Sequence, residues 1–245
     1  MVQGDRVGKA LTDAPHVVGI DDTTEFVVDL RPEPHHVGRP PHVPGTYERF
    51  VKPPMDRISG MVFGVLLLPI LIPLMLGTWL TMGRPAIFTQ KRVGRHGKPF
   101  TVYKLRTMRH DRRQDQVPLD GEDRRSVHKS HNDPRVTRYG QFLRKWSLDE
   151  TPQFLNVALG HMSLVGPRPE LVEIVEMKYG GWQHQRHQVK PGLTGIWQIS
   201  DQRQELMYQA THIDVMYLDR ISFREDMRIL LLTVPAALGY RKNGF

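Results

Sequence analysis

No cysteine occurs among the 245 residues. That absence excludes disulfides, thiolate metal sites and cysteine nucleophiles, and it allows a reducing compartment. Acidic residues are scarce beside basic ones: 26 Asp and Glu stand against 34 Lys and Arg, a formal net charge of +8. The imbalance suits an anionic partner such as nucleic acid, phospholipid headgroups or a phosphorylated small molecule. Hydrophobic residues are 39% of the chain, enough for a packed core but not a large one. The first 50 residues hold no long apolar run, so no cleavable signal peptide is expected.

Residues 1–45 mix proline, histidine, glycine and charge without helical or strand period, as in Arg31-Pro32-Glu33-Pro34-His35-His36. They read as a tail with little fixed structure, and the histidine pair as solvated side chains. The second segment, 46–83, contains the one uncharged stretch of length, Ile58 to Gly83. Its 26 residues extend about 39 Å as helix, against a bilayer core of about 30 Å. Pro69 and Pro73 interrupt it, and both flanks are basic: Lys52 and Arg57 before, Arg84, Lys91 and Arg92 after. Proline bends a helix, and positive flanks prefer the cytoplasm. From the residues alone, a re-entrant hairpin, a spanning helix and a buried soluble helix all stay open.

The third segment, 84–245, opens with a predicted β-hairpin. Ala86–Thr89 and Phe100–Tyr103 favour strand, with Gly94 and Gly97 between them. Gly97-Lys98 does not complete a phosphate loop, because Pro99 follows where Ser or Thr is needed. Residues 109–135 are polar and lack a period. From Arg84 to Lys145 there are 17 Lys and Arg against 6 Asp and Glu, much of it solvated or membrane-facing charge. A short helix is expected over Arg138 to Trp146. Thr151-Pro152 reads as a cap and first helical residue, with Gly160 as the stop. Ser222-Phe223-Arg224-Glu225 reads as a capping box opening a helix with Phe223, Met227, Leu230 and Val234 on one face, turned to the core or resting on a membrane.

Adjacent carboxylates, Asp149-Glu150, sit between two predicted helices. Ser147-Leu148-Asp149-Glu150 also fits a capping box, so a helix N-terminus explains the pair equally well in isolation. The basic neighbourhood, with Arg144 five residues earlier, favours chemistry. A carboxylate near cations stays ionised, as a nucleophile must, and a second one beside it suits a hard cation that also takes substrate phosphate. Gly166-Pro167-Arg168-Pro169 is a stiff turn displaying one arginine, fit for bidentate phosphate contact or for a plain surface turn. Lys190-Pro191-Gly192-Leu193-Thr194-Gly195 is a second stiff loop. His184 and His187 lack metalloprotease spacing and read as surface residues.

Taken in order, seven pieces resemble the bacterial sugar transferase family of small monotopic phosphoglycosyl transferases: Asp56 before the apolar segment, Phe88 to Gly94, Tyr103 to Met108, Leu143 to Glu150, Ser163 to Pro169, Lys190 to Gly195, and Asp214 to Tyr217. The resemblance covers roughly residues 50–245. It implies an α+β, mostly helical fold: a re-entrant membrane helix hairpin, then a small cytoplasmic catalytic domain with a short β-hairpin and amphipathic helices. It implies Asp149 as nucleophile and Glu150 as its partner at Mg2+. Lys104, Arg106, Arg144, Arg168, Pro169 and Asp214 are implied substrate-binding residues. The implied reaction takes a UDP-sugar and polyprenyl phosphate to polyprenyl-diphospho-sugar and UMP, through a covalent aspartyl phospho-sugar. The implied setting is the cytoplasmic face of a bacterial membrane, with anionic lipid and no nucleic acid as partner. Relatives often carry Ser-Pro at the helix break where this chain has Leu68-Pro69, so Pro73 is expected to share the bending. A basic, membrane-tethered scaffold without chemistry is the alternative, and UMP release separates the two.

Overall fold

A computed structural model describes residues 41–109, 135–200 and 206–237. Most of the expected tail, including His35-His36, and residues 110–134 of the polar stretch lie outside the described residues.

A π-helical turn, Tyr47–Val51, runs straight into α1, Lys52–Leu66, and α2, Leu68–Met82, follows after a break. No single described helix is long and apolar enough to cross a membrane; Tyr47–Leu66 and Leu68–Met82 meet that test only together, bent by 62°. The break lies at Leu67 (φ −86°, ψ −6°), two residues before Pro69. Proline has no N–H for the ladder and its ring crowds the preceding turn, so the helix stops and restarts, with Leu71 N–H bonding Leu67 O at 2.7 Å. Pro73 sits inside α2 without ending it, so the expected sharing of the bend is corrected: the break belongs to the Pro69 region.

Each limb is held by a different part of the domain. On α1, Gly60 lies against α4, Gln153–Ala158; a Cβ there would stand 2.6 Å from Ala158 N and 3.0 Å from Val157 C. The rings of Phe63 and Phe154 meet nearby at 5.7 Å. On α2, Tyr139 donates its hydroxyl to Leu74 O at 3.0 Å from α3, Arg138–Lys145. Away from these contacts both limbs expose apolar side chains, Ile58, Met61, Leu66 and Leu80 each by more than 60%. Gly60→Val should therefore wedge α1 off α4 and lower stability by about 1–3 kcal/mol. A thermal midpoint equal to that of the parent protein, measured in nanodiscs, would contradict this packing.

The predicted hairpin forms as β1, Ile87–Val93, antiparallel to β2, Pro99–Leu105, in the register Phe88↔Lys104, Gln90↔Val102, Arg92↔Phe100. The helix over Arg138–Lys145 forms as expected, with Thr137 capping Gly140 N–H at 2.9 Å. Gly160 (φ 80°) follows α4 as the expected stop. A second sheet was not expected: β3, Ser163–Val165, pairs in parallel with β4, Gly192–Thr194. Between them lie α5, Val172–Lys178, and a 3-10 segment, Gly181–Gln188; α6, Ile196–Ile199, α7, Thr211–Leu218, and α8, Phe223–Ala237, complete the chain. The main core gathers Val102, Val157, Met162, Val165, Tyr217 and Ile229.

Ser222 caps α8 through Glu225 N–H at 3.2 Å, as read, while the Glu225 carboxylate bonds Arg228. Of the expected apolar face, Leu230 packs against the main core, and the two ends are more open. Phe223 and Val234 are more than half exposed, whereas Asp226 and Ile229 are fully buried. The reason is a polar cluster at the hairpin's base. Asp226 accepts from Lys52 Nζ at 2.5 Å, Tyr47 OH at 2.8 Å and Tyr217 OH at 2.6 Å, which pulls its side of α8 inward. In the same cluster Asp56 accepts from Ser163 Oγ at 2.7 Å and Leu164 N–H at 3.1 Å, tying α1 to β3.

Candidate active site

Asp149 and Glu150 occupy a single 3-10 turn, Leu148–Glu150, between α3 and α4. Ser147, just before it, takes left-handed backbone (φ 54°), a strained state for a residue with a Cβ. The expected capping box does not form there, because this backbone leaves Glu150 N–H to the Ser147 carbonyl at 3.2 Å, with no side-chain cap. Thr151 is likewise no cap: its hydroxyl donates back to Leu148 O at 2.8 Å, and α4 starts at Gln153. The carboxylates thus sit on a short constrained turn.

Two cations reach this turn from separate elements. Lys104 Nζ, on β2, donates to Glu150 Oε1 at 2.8 Å. Arg168 Nη2, on the Pro-Arg-Pro turn after β3, reaches the same oxygen at 3.3 Å. All three side chains are about four-fifths buried. Burial pushes the Asp149 carboxyl up, Glu150 beside it pushes further, and Lys104 and Arg144 pull back. The cations expected around Asp149 are present, but the balance is upward, since two carboxylates share a poorly solvated turn. Burial also lowers the Lys104 ammonium, against the pull of Glu150.

A small recess opens beside these groups, lined by Arg92, Lys104, Glu150, Gln153, Arg168 and Pro169 among others. Three cations and one carboxylate face it, a balance that accepts a polyanion. Burial brings the Arg92 guanidinium down to about 10, although Glu170 opposes the shift. Gln153 is 4% exposed, and its amide Nε2 has no hydrogen-bond partner among the described residues. That donor is suited to an incoming oxygen.

The other implied residues divide. Arg144 donates to Thr107 Oγ1 at 2.9 Å and acts on Asp149 through its charge. Pro169 lines the recess, and its carbonyl accepts from Arg92 at 3.1 Å. Arg106 is placed elsewhere: it binds the carbonyls of Met82, Gly83 (2.9 Å) and Arg84 (3.1 Å), and so closes the C-terminus of α2. Asp214 lies behind the Pro-Arg-Pro turn, 1% exposed and 2.6 Å from the buried Arg186. His184 and His187 are buried against Tyr179, with ring centroids at 5.7 and 5.8 Å, which corrects their reading as surface residues. A short polar run with two glycines looks exposed until Tyr179 gives the imidazoles an apolar wall.

Arg92, Gln153 and Arg186 were missed. Arg92 was within reach: the hairpin register puts Gln90 and Arg92 on the same face as Val102 and Lys104. Gln153 and Arg186 carry no pattern of their own.

No group of three or more His, Asp or Glu able to hold an ion occurs among the described residues, so a metal at this turn would meet at most the carboxylates of Asp149 and Glu150. Two carboxylates on one turn, whose mutual repulsion a cation relieves, fit Mg2+, which takes few protein ligands and completes its shell from phosphate and water.

Comparisons with known proteins bear on the family. Residues 47–240 match the family described as bacterial sugar transferase. The chain is 41% identical over 184 residues to the galactosyl transferase CpsE of Streptococcus agalactiae, covering 74% of this chain and 41% of that protein. It is 43% identical over 159 residues to the uncharacterized sugar transferase EpsL of Bacillus subtilis, covering 65% and 73%. It is also 38% identical over 194 residues to the UDP-glucose:undecaprenyl-phosphate glucose-1-phosphate transferase of Escherichia coli, covering 76% and 40%. The chain therefore spans about two fifths of the first and third of these relatives.

Proposed function

The chain belongs to the bacterial sugar transferase family, and on that premise we propose that it moves a sugar-1-phosphate from a UDP-sugar to polyprenyl phosphate. The products are polyprenyl-diphospho-sugar and UMP. The observation that carries this reading is the Asp149-Glu150 turn set against Lys104 and Arg168 beside a cationic recess.

An Asp149 carboxylate oxygen attacks the sugar-side phosphorus, and the bond from that phosphorus to the bridging oxygen breaks, with UMP leaving on the electron pair. An oxygen of polyprenyl phosphate then attacks the same phosphorus and frees the carboxylate. Arg168 and Lys104 offset the negative charge on the phosphoryl oxygens, and burial keeps that offset strong by excluding water. Glu150 holds both cations in place until substrate arrives. A Mg2+ ion held by Asp149 and Glu150 would supply further positive charge against the diphosphate. The test is purified protein in lipid with polyprenyl phosphate, Mg2+ and a panel of UDP-sugars, starting from the glucose and galactose donors suggested by the relatives' names. Sugar-dependent UMP release is expected; none with any donor would overturn the reading.

The same proposal places the bent pair as a re-entrant hairpin entering from the cytoplasmic face. Its exposed apolar surface, the 62° bend and the basic flanks support this. One substrate is soluble and the other fixed in the bilayer, so a hairpin that sets the site at headgroup depth lets both arrive, and basic surface holds anionic lipid. The chain has no native thiol, so Val43→Cys, at an 84% exposed position just before the hairpin, offers a unique label. That thiol should react from the cytoplasmic side only. Adding Pro69→Ala and Pro73→Ala should straighten the helix and move the label to the other side. A label that stays cytoplasmic in that variant would refute the proline explanation.

A further inference from the structure

The Pro167-Arg168-Pro169 turn has one main-chain donor, at Arg168, since both prolines lack N–H. It is held by four consecutive carbonyls. Pro167 O accepts from Gly192 N–H at 2.8 Å, and Glu170 O from Val93 N–H at 2.9 Å. Pro169 O accepts from Arg92 Nη1 at 3.1 Å, and Arg168 O from Arg186 Nη2. The last of these is a guanidinium with a counter-ion of its own. Arg186 is 1% exposed; the same Nη2 stands 2.6 Å from Asp214 Oδ2, and Nη1 donates to Tyr179 OH. Asp214 is equally buried. On the other side of the turn, the Arg168 side chain lies over the Trp197 ring at 5.7 Å and points to Glu150.

Resting on the reading above, we propose that Arg186 and Asp214 form a buried positioning pair that aims Arg168 at the donor diphosphate, with Asp214 acting through Arg186 and never touching substrate. The chemistry favours this over direct contact. A carboxylate facing a diphosphate repels it, whereas one layer back it holds a guanidinium that fixes the phosphate-binding arginine's main chain. The planar fork matters: one group spans Asp214, Tyr179 OH and the Arg168 carbonyl, which an ammonium cannot. A pair serving only as core packing would stabilise the fold and leave nucleotide affinity alone. A positioning pair has an effect that exists only while Arg168 is present.

The test is a double-mutant cycle on the full chain in nanodiscs, reading UMP affinity by calorimetry, turnover by UMP release, and the thermal midpoint. Arg186→Lys should weaken UMP binding about tenfold and slow turnover on the order of 100-fold. In an Arg168→Ala background the same change should move either quantity by no more than about twofold. Asp214→Asn, which removes the charge at constant shape, should follow the same pattern and carries the cycle if Arg186→Lys does not fold. Losses that add to those of Arg168→Ala would overturn the proposal, as would a lowered midpoint with affinity unchanged. A parent protein that neither binds nor releases UMP removes the donor reading and the proposal together; additive losses in an active parent remove the proposal alone.

Discussion

Asp149→Asn should reduce UMP release by about 10,000-fold or more, to background, while the protein still partitions with lipid and melts no earlier than the parent. The two halves of this expectation have separate origins. Asparagine keeps the shape of the side chain but offers no anionic oxygen to attack phosphorus, so the covalent route closes. In the proposed arrangement membrane association rests on α1 and α2, which the substitution does not touch. Stability is spared because burial and Glu150 both disfavour the Asp149 anion, so a neutral amide relieves repulsion on a strained turn. Mass spectrometry supplies a second readout: with donor alone, the parent should gain the mass of a phospho-sugar and the variant none. Substantial activity in the variant would remove the nucleophile assignment.

Arg168→Ala should cost on the order of 100- to 1,000-fold in kcat/KM, and Arg168→Lys should recover only a small part. Arg168 touches three things at once: the Glu150 carboxylate, the recess and the face of Trp197. A lysine keeps the charge and loses the planar fork and the stacking face. Alanine also releases Glu150 from one cation, while Lys104 stays on it at 2.8 Å. The loss should appear in kcat as well as KM, since the charge being met grows in the transition state. Steady-state kinetics across UDP-sugar concentrations will check this, and full recovery by lysine would show that charge alone suffices.

Much of this site could be read along the chain because its parts are local. Adjacent carboxylates, a proline-flanked arginine and a strand-period hairpin each announce themselves within ten residues, and the hairpin register then fixes which side Lys104 and Arg92 share. The hairpin break was legible for the same reason, although Pro73 looked as disruptive as Pro69; position relative to the preceding turn decides between them, and that is a property of the folded helix. What stayed hidden was buried charge. Nothing in the sequence marks Arg186, Asp226 and Lys52 as buried, because their partners lie away along the chain, 174 residues in the case of Lys52 and Asp226. The β3–β4 pair was hidden because three residues are too few to show a period, and Gly192–Thr194 lies inside a run that reads as a stiff loop.

That long-range clasp has a consequence for biosynthesis. On the proposed re-entrant reading the hairpin is translated early and can enter the bilayer while the remainder is still being made, yet the carboxylate that grips its base belongs to the last described helix. Until residue 226 has cleared the ribosome, the other ion pair of Lys52 among the described residues is the looser one with Asp56, at 3.9 Å. On that reading insertion precedes registration: the anchor would go in first, and its orientation toward the Asp149-Glu150 turn would be set in a late step that closes a long loop of the chain.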